Sequence, residues 1–84
     1  LPVYAESLGR MGCSLWEDAA TGERAVFLYN TDFDDAENTV LHADGTYTAE
    51  LLTAESWQML GSGESFRLPV IPAWSTAVLR LKRC

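Results

Sequence analysis

Hydrophobic and polar residues along this chain follow the short runs typical of β-strands rather than the longer period of helices. The segment Arg24–Asn30 (RAVFLYN) is the longest stretch of strand-forming residues, and its middle is apolar at consecutive positions. Such a run predicts a central strand that is buried on both faces. A polar segment, residues 30–35, follows it and predicts a loop. We therefore expect the other strands to be laid against this one.

Shorter segments predict further strands on either side. Residues 3–8 and residues 13–17 form the first two, and the turn segment 18–23 should join the second of them to Arg24–Asn30 as an antiparallel hairpin. Residues 76–82 alternate apolar and polar side chains, which predicts a half-buried final strand.

The dipeptide Asp44-Gly45 is the strongest hairpin signal in the sequence. A two-residue type I′ turn requires positive φ at both central residues, and Asp-Gly satisfies that requirement well. It predicts that residues 36–43 and 46–53 form a hairpin. With this register, His42 lies beside Tyr47 on the face that we expect to point into the core.

Residues 61–65 combine two glycines with two serines and predict a loop tip. Pro69 cannot donate a backbone hydrogen bond and indicates a strand end or an edge. About seven to eight short strands with no long helix predict an all-β fold, a small antiparallel β-sandwich of the Greek-key type. The 84 residues are enough for one such domain, spanning 1–84.

Charge and composition narrow the classes of partner. The net charge of −6 repels nucleic acid and anionic membranes, and the few cations cluster only at residues 80–83. No apolar run reaches transmembrane length. The start, Leu1-Pro-Val-Tyr, has neither an initiator Met nor a signal-peptide pattern, so we expect a piece of a longer protein.

Two cysteines, Cys13 and Cys84, permit one disulfide, but small domains that depend on disulfides usually carry more. We expect both thiols to be reduced, which favours a cytoplasmic location slightly and leaves the compartment open. One His and two distant Cys cannot supply a structural zinc site.

Candidate catalytic groups are few. Asp32, Asp34, Asp35 and Glu37 crowd one loop, and a pair of carboxylates could act as glycosidase acid and base. A solvated turn is the stronger interpretation, because a chain this short can hardly wall the cleft that raises one pKa. The loop also lacks the glycine and the glutamate of a calcium loop. His42 has no convincing nucleophile in sequence, so we expect no catalytic, metal or cofactor residue.

Three tryptophans are the remaining candidates for a binding surface: Trp16, Trp57 and Trp74. Flat aromatic faces suit the stacking of sugar rings, and the same side chains suit a core or an interface between domains. In so small a domain we favour core or interface over sugar binding.

Four segments together resemble a known family: residues 25–32, a strand containing Val40, residues 49–55 and residues 66–81. They are similar to the C-terminal β-sandwich of multidomain glycoside hydrolases, the small domain that follows the (β/α)₈ catalytic barrel in α-galactosidases, α-amylases and some β-galactosidases. The chain departs from that pattern at Ala54, where glycine is usual, and at Val70-Ile71, which separates the two prolines.

The resemblance implies a non-catalytic accessory domain that packs against the catalytic barrel of its own chain. In such enzymes both catalytic carboxylates lie on the barrel. Trp16, Trp57 and Trp74 are then the expected contacts with the barrel or with carbohydrate. A free-standing carbohydrate-binding module is the alternative, and an enzyme in its own right is a third.

Overall fold

A computed structural model describes residues 3–7 and 9–83 of the chain. Within these ranges the chain is all-β, with six strands and no helix: β1 (Tyr4–Glu6), β2 (Met11–Glu17), β3 (Arg24–Asn30), β4 (Val40–Leu52), β5 (Trp57–Arg67) and β6 (Thr76–Arg83). The described part therefore contains no helix that could cross a membrane. Leu8, the end of the predicted first strand, lies outside the described residues, as does Cys84.

All strand pairs are antiparallel, in the order β1-β4-β6-β3-β2, and β5 pairs with β4. The long β4 strand organises this sheet. One of its neighbours, β5, follows most of its length, whereas β1 pairs with its beginning and β6 with its end. Because β1 also contacts β2, the sheet is nearly closed. The antiparallel all-β prediction is confirmed, with six strands in place of seven to eight.

The hairpin of β2 and β3 forms as predicted. The strands are in register from Met11 opposite Asn30 to Glu17 opposite Arg24. Gly22 takes φ 75° in the connecting turn, and its N–H donates to the carbonyl of Asp18 at 2.7 Å. Glycine is favoured there because a Cβ is strained at positive φ.

β3 lies between β2 and β6, so its predicted central position is confirmed. The prediction that both its faces are buried is wrong. Val26 and Leu28 are fully buried, but Phe27 lies half-buried on the outside of the sheet, and Tyr29 is exposed. A nearly closed sheet encloses its core on the inside only, and the described chain places no second layer over the outside of β3.

The predicted hairpin at Asp44-Gly45 is also wrong, because both residues lie inside β4. Gly45 does not have positive φ, and β4 continues through a bulge between His42 and Tyr47. Side chains alternate across a strand with period two. The bulge interrupts this alternation, yet Leu41 and Tyr47 are both buried on the inside, while His42 points outward.

The real hairpin joins β4 to β5 through residues 53–56. Thr53 Oγ1 donates to the carbonyl of Ser56 at 2.7 Å and accepts from its N–H at 3.1 Å. The predicted loop tip at residues 61–65 is instead part of β5, where Gly61 and Gly63 have φ 126° and 151°. The glycines bend a strand here rather than end it.

The core fills the inside of the sheet. Val26, Leu28, Leu41, Tyr47, Leu79 and Leu81 are its largest fully buried strand side chains, and Phe66 on β5 is buried with them. β6 buries Leu79 and Leu81 on alternate positions, as its sequence pattern predicted. The loops contribute Leu68 and Ile71, which cover one end.

Candidate functional site

The structure brings two of the three candidate tryptophans onto one surface. Trp16 on β2 and Trp57 on β5 both lie on the outside of the sheet and line the same groove. Trp74 lies in the loop before β6, away from this groove. Trp16 is 67% and Trp74 62% exposed, so of the two expected roles, core or interface, neither residue fills the core.

Strand register determines which side chains share the outside of the sheet. Directly paired residues of neighbouring strands share a face of the sheet. Trp16 is paired with Ala25, and Ala25 with Arg80, so this row runs from β2 across β3 to β6. The neighbouring row contains Phe27 and Val78.

We call the apolar outside of β2, β3, β6, β4 and β5 the outer face. Its large apolar side chains are Trp16, Phe27, Tyr29, Leu52, Trp57, Met59 and Val78. Four of them are exposed: Trp16, Tyr29, Leu52 and Met59. Exposed large apolar side chains gathered on one face are a mark of interaction sites, so the outer face is the leading candidate for an interaction surface.

Polar contacts hold part of this face in place. The guanidinium carbon of Arg80 lies 4.3 Å from the ring centre of Trp57. Arg80 also donates two hydrogen bonds to Glu50 Oε1, from Nη2 at 3.1 Å and from Nε at 3.2 Å. Stacking on Arg80 restricts the ring of Trp57. Ala25, which is paired with Arg80, has only a small side chain. The result is a groove of about 330 Å³ between Trp16 and the stacked Arg80 and Trp57.

The acidic loop, which the sequence offered as a catalytic candidate, lines a shallow depression at the end of β3, whereas the groove lies at its start. Asp32, Asp34, Asp35 and Glu37 surround a space of about 230 Å³. The backbone N–H of Ala73 donates to Asp35 Oδ1 at 2.9 Å, and that of Phe33 to Asp32 Oδ1 at 2.7 Å. Across the described residues, no group of three or more His, Cys, Asp or Glu is placed to hold a metal ion.

His42 contacts a hydroxyl that the sequence did not suggest. Its Nδ1 lies 3.2 Å from Ser65 Oγ, and its ring stacks on Tyr4 at 5.0 Å. Nε2 lies 3.7 Å from Glu6, which is largely in water. These are neighbours across three paired strands on the open outside of the sheet. A nucleophilic serine also requires donors for an oxyanion in an enclosed site, and an open sheet surface does not enclose one.

Cys13 offers no activated nucleophile either. It carries a free thiol, and burial raises its pKa. A reactive cysteine requires a lowered pKa, since the thiolate is the nucleophile.

A polar cluster at the bulge of β4 has a structural role. Arg24 Nη1 donates to Asp44 Oδ1 at 2.7 Å, and Tyr47 Oη donates to the same oxygen at 2.9 Å. The guanidinium of Arg24 holds the pKa of the Asp44 carboxyl below its usual range. Burial is the main cause that raises the pKa of Tyr47. The guanidinium carbon of Arg83 lies 5.5 Å from the centre of the Tyr47 ring.

This cluster explains why Asp44 does not form a turn. Arg24 is nine-tenths buried at the start of β3, and a buried cation needs a partner. The bulge supplies one by turning Asp44 toward Arg24. No local pattern in the sequence reveals this pairing, because the two residues are 20 positions apart.

Asn30 organises the loops at the other end of β3. It is 1% exposed, and its Nδ2 donates to the carbonyls of Asp34 at 3.0 Å and Ile71 at 2.9 Å. Its Oδ1 accepts from the N–H of Asp32 at 3.0 Å. One side chain therefore connects the loop after β3 to the loop before β6.

No protein-family model matches this chain, and neither the curated proteins nor the solved structures include a match to it.

Proposed function

We propose that this chain is a non-catalytic accessory domain that packs its outer face against a neighbouring domain of the same protein. The observation that carries the proposal is the apolar outer face, with Trp16 exposed at one side and Trp57 fixed by Arg80 at the other. Aromatic residues, Met and Arg are enriched in protein interfaces, and all three occur here.

The energetics favour a large apolar contact. Covering an aromatic side chain removes about 150–250 Å² from water, at about 25 cal/mol per Å² of apolar surface. Trp16, Met59 and Leu52 have most to gain, since they are exposed in the chain by itself. The paired Arg80 and Glu50 can be covered at a lower cost than isolated charges, because each already has its partner.

The resemblance to glycoside hydrolases suggests which kind of domain the neighbour is. On that basis we propose that it is a (β/α)₈ catalytic barrel and that the nearly closed sheet corresponds to the small sandwich of that family. In that family a strand that ends in asparagine belongs to the sheet. Asn30 stands at the corresponding end of β3, and its buried contacts give that position a structural reason. The catalytic carboxylates would then lie outside this chain.

The experiment alters the outer face in the whole parent enzyme. Trp16→Ser with Met59→Ser should lower the melting temperature of the parent or cause aggregation. The same pair should leave the melting of the 84-residue chain little changed, because both side chains are exposed there. Tyr4→Ser is the matched control, since Tyr4 is an exposed aromatic residue on β1, outside the outer face. An unchanged parent, or glycosidase turnover by the 84-residue chain, would refute the proposal.

A second candidate function is carbohydrate binding in the groove between Trp16 and Trp57. The specific observation is the groove of about 330 Å³, in which two indole rings are accompanied by Arg80 and by acidic side chains. Aromatic faces stack on sugar rings, and charged groups accept and donate hydrogen bonds to their hydroxyls. Quenching of tryptophan fluorescence by oligosaccharides, lost in Trp57→Ala, would favour this function over domain packing.

A further inference from the structure

A second exposed aromatic surface lies at the opposite end of the sheet from the Arg24 cluster. Phe33, in the loop after β3, is 84% exposed, and Trp74, in the loop before β6, is 62% exposed. Their rings meet edge to face, with centres 5.2 Å apart and planes at 84°. We call these two residues the aromatic tip.

Hydrogen bonds from buried and loop side chains hold the two loops that carry the aromatic tip. Asn30 donates to carbonyls of both loops, at Asp34 and at Ile71. Asp35 Oδ1 accepts from the N–H of Ala73, next to Trp74, at 2.9 Å. The two rings are therefore positioned before any partner arrives, which lowers the entropy that binding would cost.

The surroundings of the aromatic tip are acidic. Asp32 and Asp34 flank Phe33 in sequence, and Asp35 and Glu37 follow in the same loop. Across residues 3–7 and 9–83, the ion pairs involve other carboxylates, namely Glu6, Glu17, Glu23, Asp44 and Glu50. The negative charge of the loop next to the aromatic tip is therefore not neutralised by an ion pair within the described residues. It can attract a cationic partner, and the net charge of −6 adds to that attraction.

The ring geometry indicates what kind of partner fits. Two rings at 84° form a corner and not a flat platform, so they do not present the coplanar surface on which a sugar ring stacks. The ring faces that stay exposed at this corner suit an ammonium or guanidinium group, which is attracted by the negative face of an aromatic ring. Neighbouring carboxylates strengthen that attraction and repel anionic ligands.

We propose that the aromatic tip and its acidic loop bind a lysine- or arginine-bearing segment of a partner polypeptide. The cationic group lies against Phe33 and Trp74, and Asp34 supplies the opposite charge. This interaction is separate from the packing of the outer face, so either proposal can fail while the other stands.

The test titrates the isotopically labelled 84-residue chain with the peptide acetyl-Gly-Lys-Gly-Lys-Gly-amide and follows amide and indole resonances by NMR. We expect the shifts to concentrate at the Trp74 indole N–H and in residues 31–36, and to weaken as salt is added. A peptide with norleucine in place of lysine keeps the aliphatic chain without the charge, and it should bind more weakly.

Substitutions then locate the site. Phe33→Ala should raise the dissociation constant about two- to fivefold, the equivalent of an exposed cation–π contact. Asp34→Asn should weaken binding and reduce its salt dependence, whereas Glu64→Gln removes the same charge from an exposed position on β5 and should change little.

Three results would overturn the proposal. Equal binding of the norleucine peptide would show an apolar surface with no preference for cations. Shifts centred on the indoles of Trp16 and Trp57 would place the peptide on the outer face instead. Absence of saturable binding, or binding that Phe33→Ala leaves unaltered, would remove the aromatic tip as a site.

Discussion

The inside and outside of β3 should differ sharply in their contribution to stability, and one pair of substitutions tests this. Leu28 is fully buried, and its cross-strand neighbours on the inner face are Cys13 and Ala77. Both neighbours are short side chains, which cannot reach into the space that Leu28→Ala would open. The site cannot collapse easily, so the cost should be about 2–5 kcal/mol, the range for buried leucines.

Phe27, one position earlier, should matter less although it is larger. It is only half-buried on the outer face, beside Ser14 and Val78. Truncation there opens space to water instead of leaving an enclosed cavity. We therefore expect Phe27→Ala to cost about 2 kcal/mol or less, since full burial of such a side chain contributes about 1.5–3 kcal/mol.

Urea unfolding of the 84-residue chain measures both costs. A chain of this size should have an unfolding free energy of about 4–13 kcal/mol. With a slope of about 1 kcal/mol per molar urea, Leu28→Ala should lower the midpoint by about 2 M or more. The exposed control Glu64→Ala should stay within about 0.5 kcal/mol. If Phe27→Ala costs as much as Leu28→Ala, our assignment of the two faces of β3 is wrong.

Three further predictions concern particular residues. Because Arg24 lowers the pKa of Asp44, the Asp44 carboxylate binds a proton less well in the folded state than in the unfolded chain. The free energy of unfolding should therefore fall as pH drops below about 4. Asp44→Asn should flatten the dependence of the urea midpoint on pH in that range. Gly61→Ala should destabilise by about 1 kcal/mol or more because φ is 126°, whereas Gly45→Ala should be tolerated in thermal melts; the opposite order would restore the hairpin at Gly45. Asn30→Ala should cost about 1–3 kcal/mol because it removes the side-chain hydrogen bonds to the carbonyls of Asp34 and Ile71. Hydrogen exchange should accelerate in both loops that Asn30 joins, and unaltered exchange would contradict its role.

Several elements follow from local sequence alone. The β2–β3 hairpin was predictable because a turn with Gly22 lies between two strand-forming segments, and such a turn brings neighbours in sequence together. The burial of Leu79 and Leu81 was predictable because period-two alternation is read directly from the residues. The solvated acidic loop after Asn30 followed from its composition.

The two faces of Arg24–Asn30 could not be read in this way. Its apolar residues are consecutive, and a run of this kind looks the same whether a partner covers one face or two. The structure places Val26 and Leu28 inside and Phe27 outside. Under the proposed function the sequence pattern reflects both contacts, the core within the chain and a domain packed against the outside.

The choice between turn and strand at Asp44-Gly45 was decided by a distant residue. By propensity the dipeptide favours a type I′ turn. A continuous strand keeps Leu41 and Tyr47 on one side, where both are buried, whereas the hairpin would have placed His42 with Tyr47. Burial of Leu41 and the pairing of Asp44 with Arg24 stabilise the strand.

The candidate surfaces were visible in the sequence only as three separate tryptophans. Composition indicated that Trp16, Trp57 and Trp74 could serve an interface or a ligand, and it could not group them. Pairing of strands that are distant in sequence put Trp16 and Trp57 on one face. The hydrogen bonds of Asn30 join the two loops that carry Phe33 and Trp74, whose rings are in contact. Local chemistry thus determined which strands form and which residues can bind, whereas only long-range pairing decided which side chains share a surface.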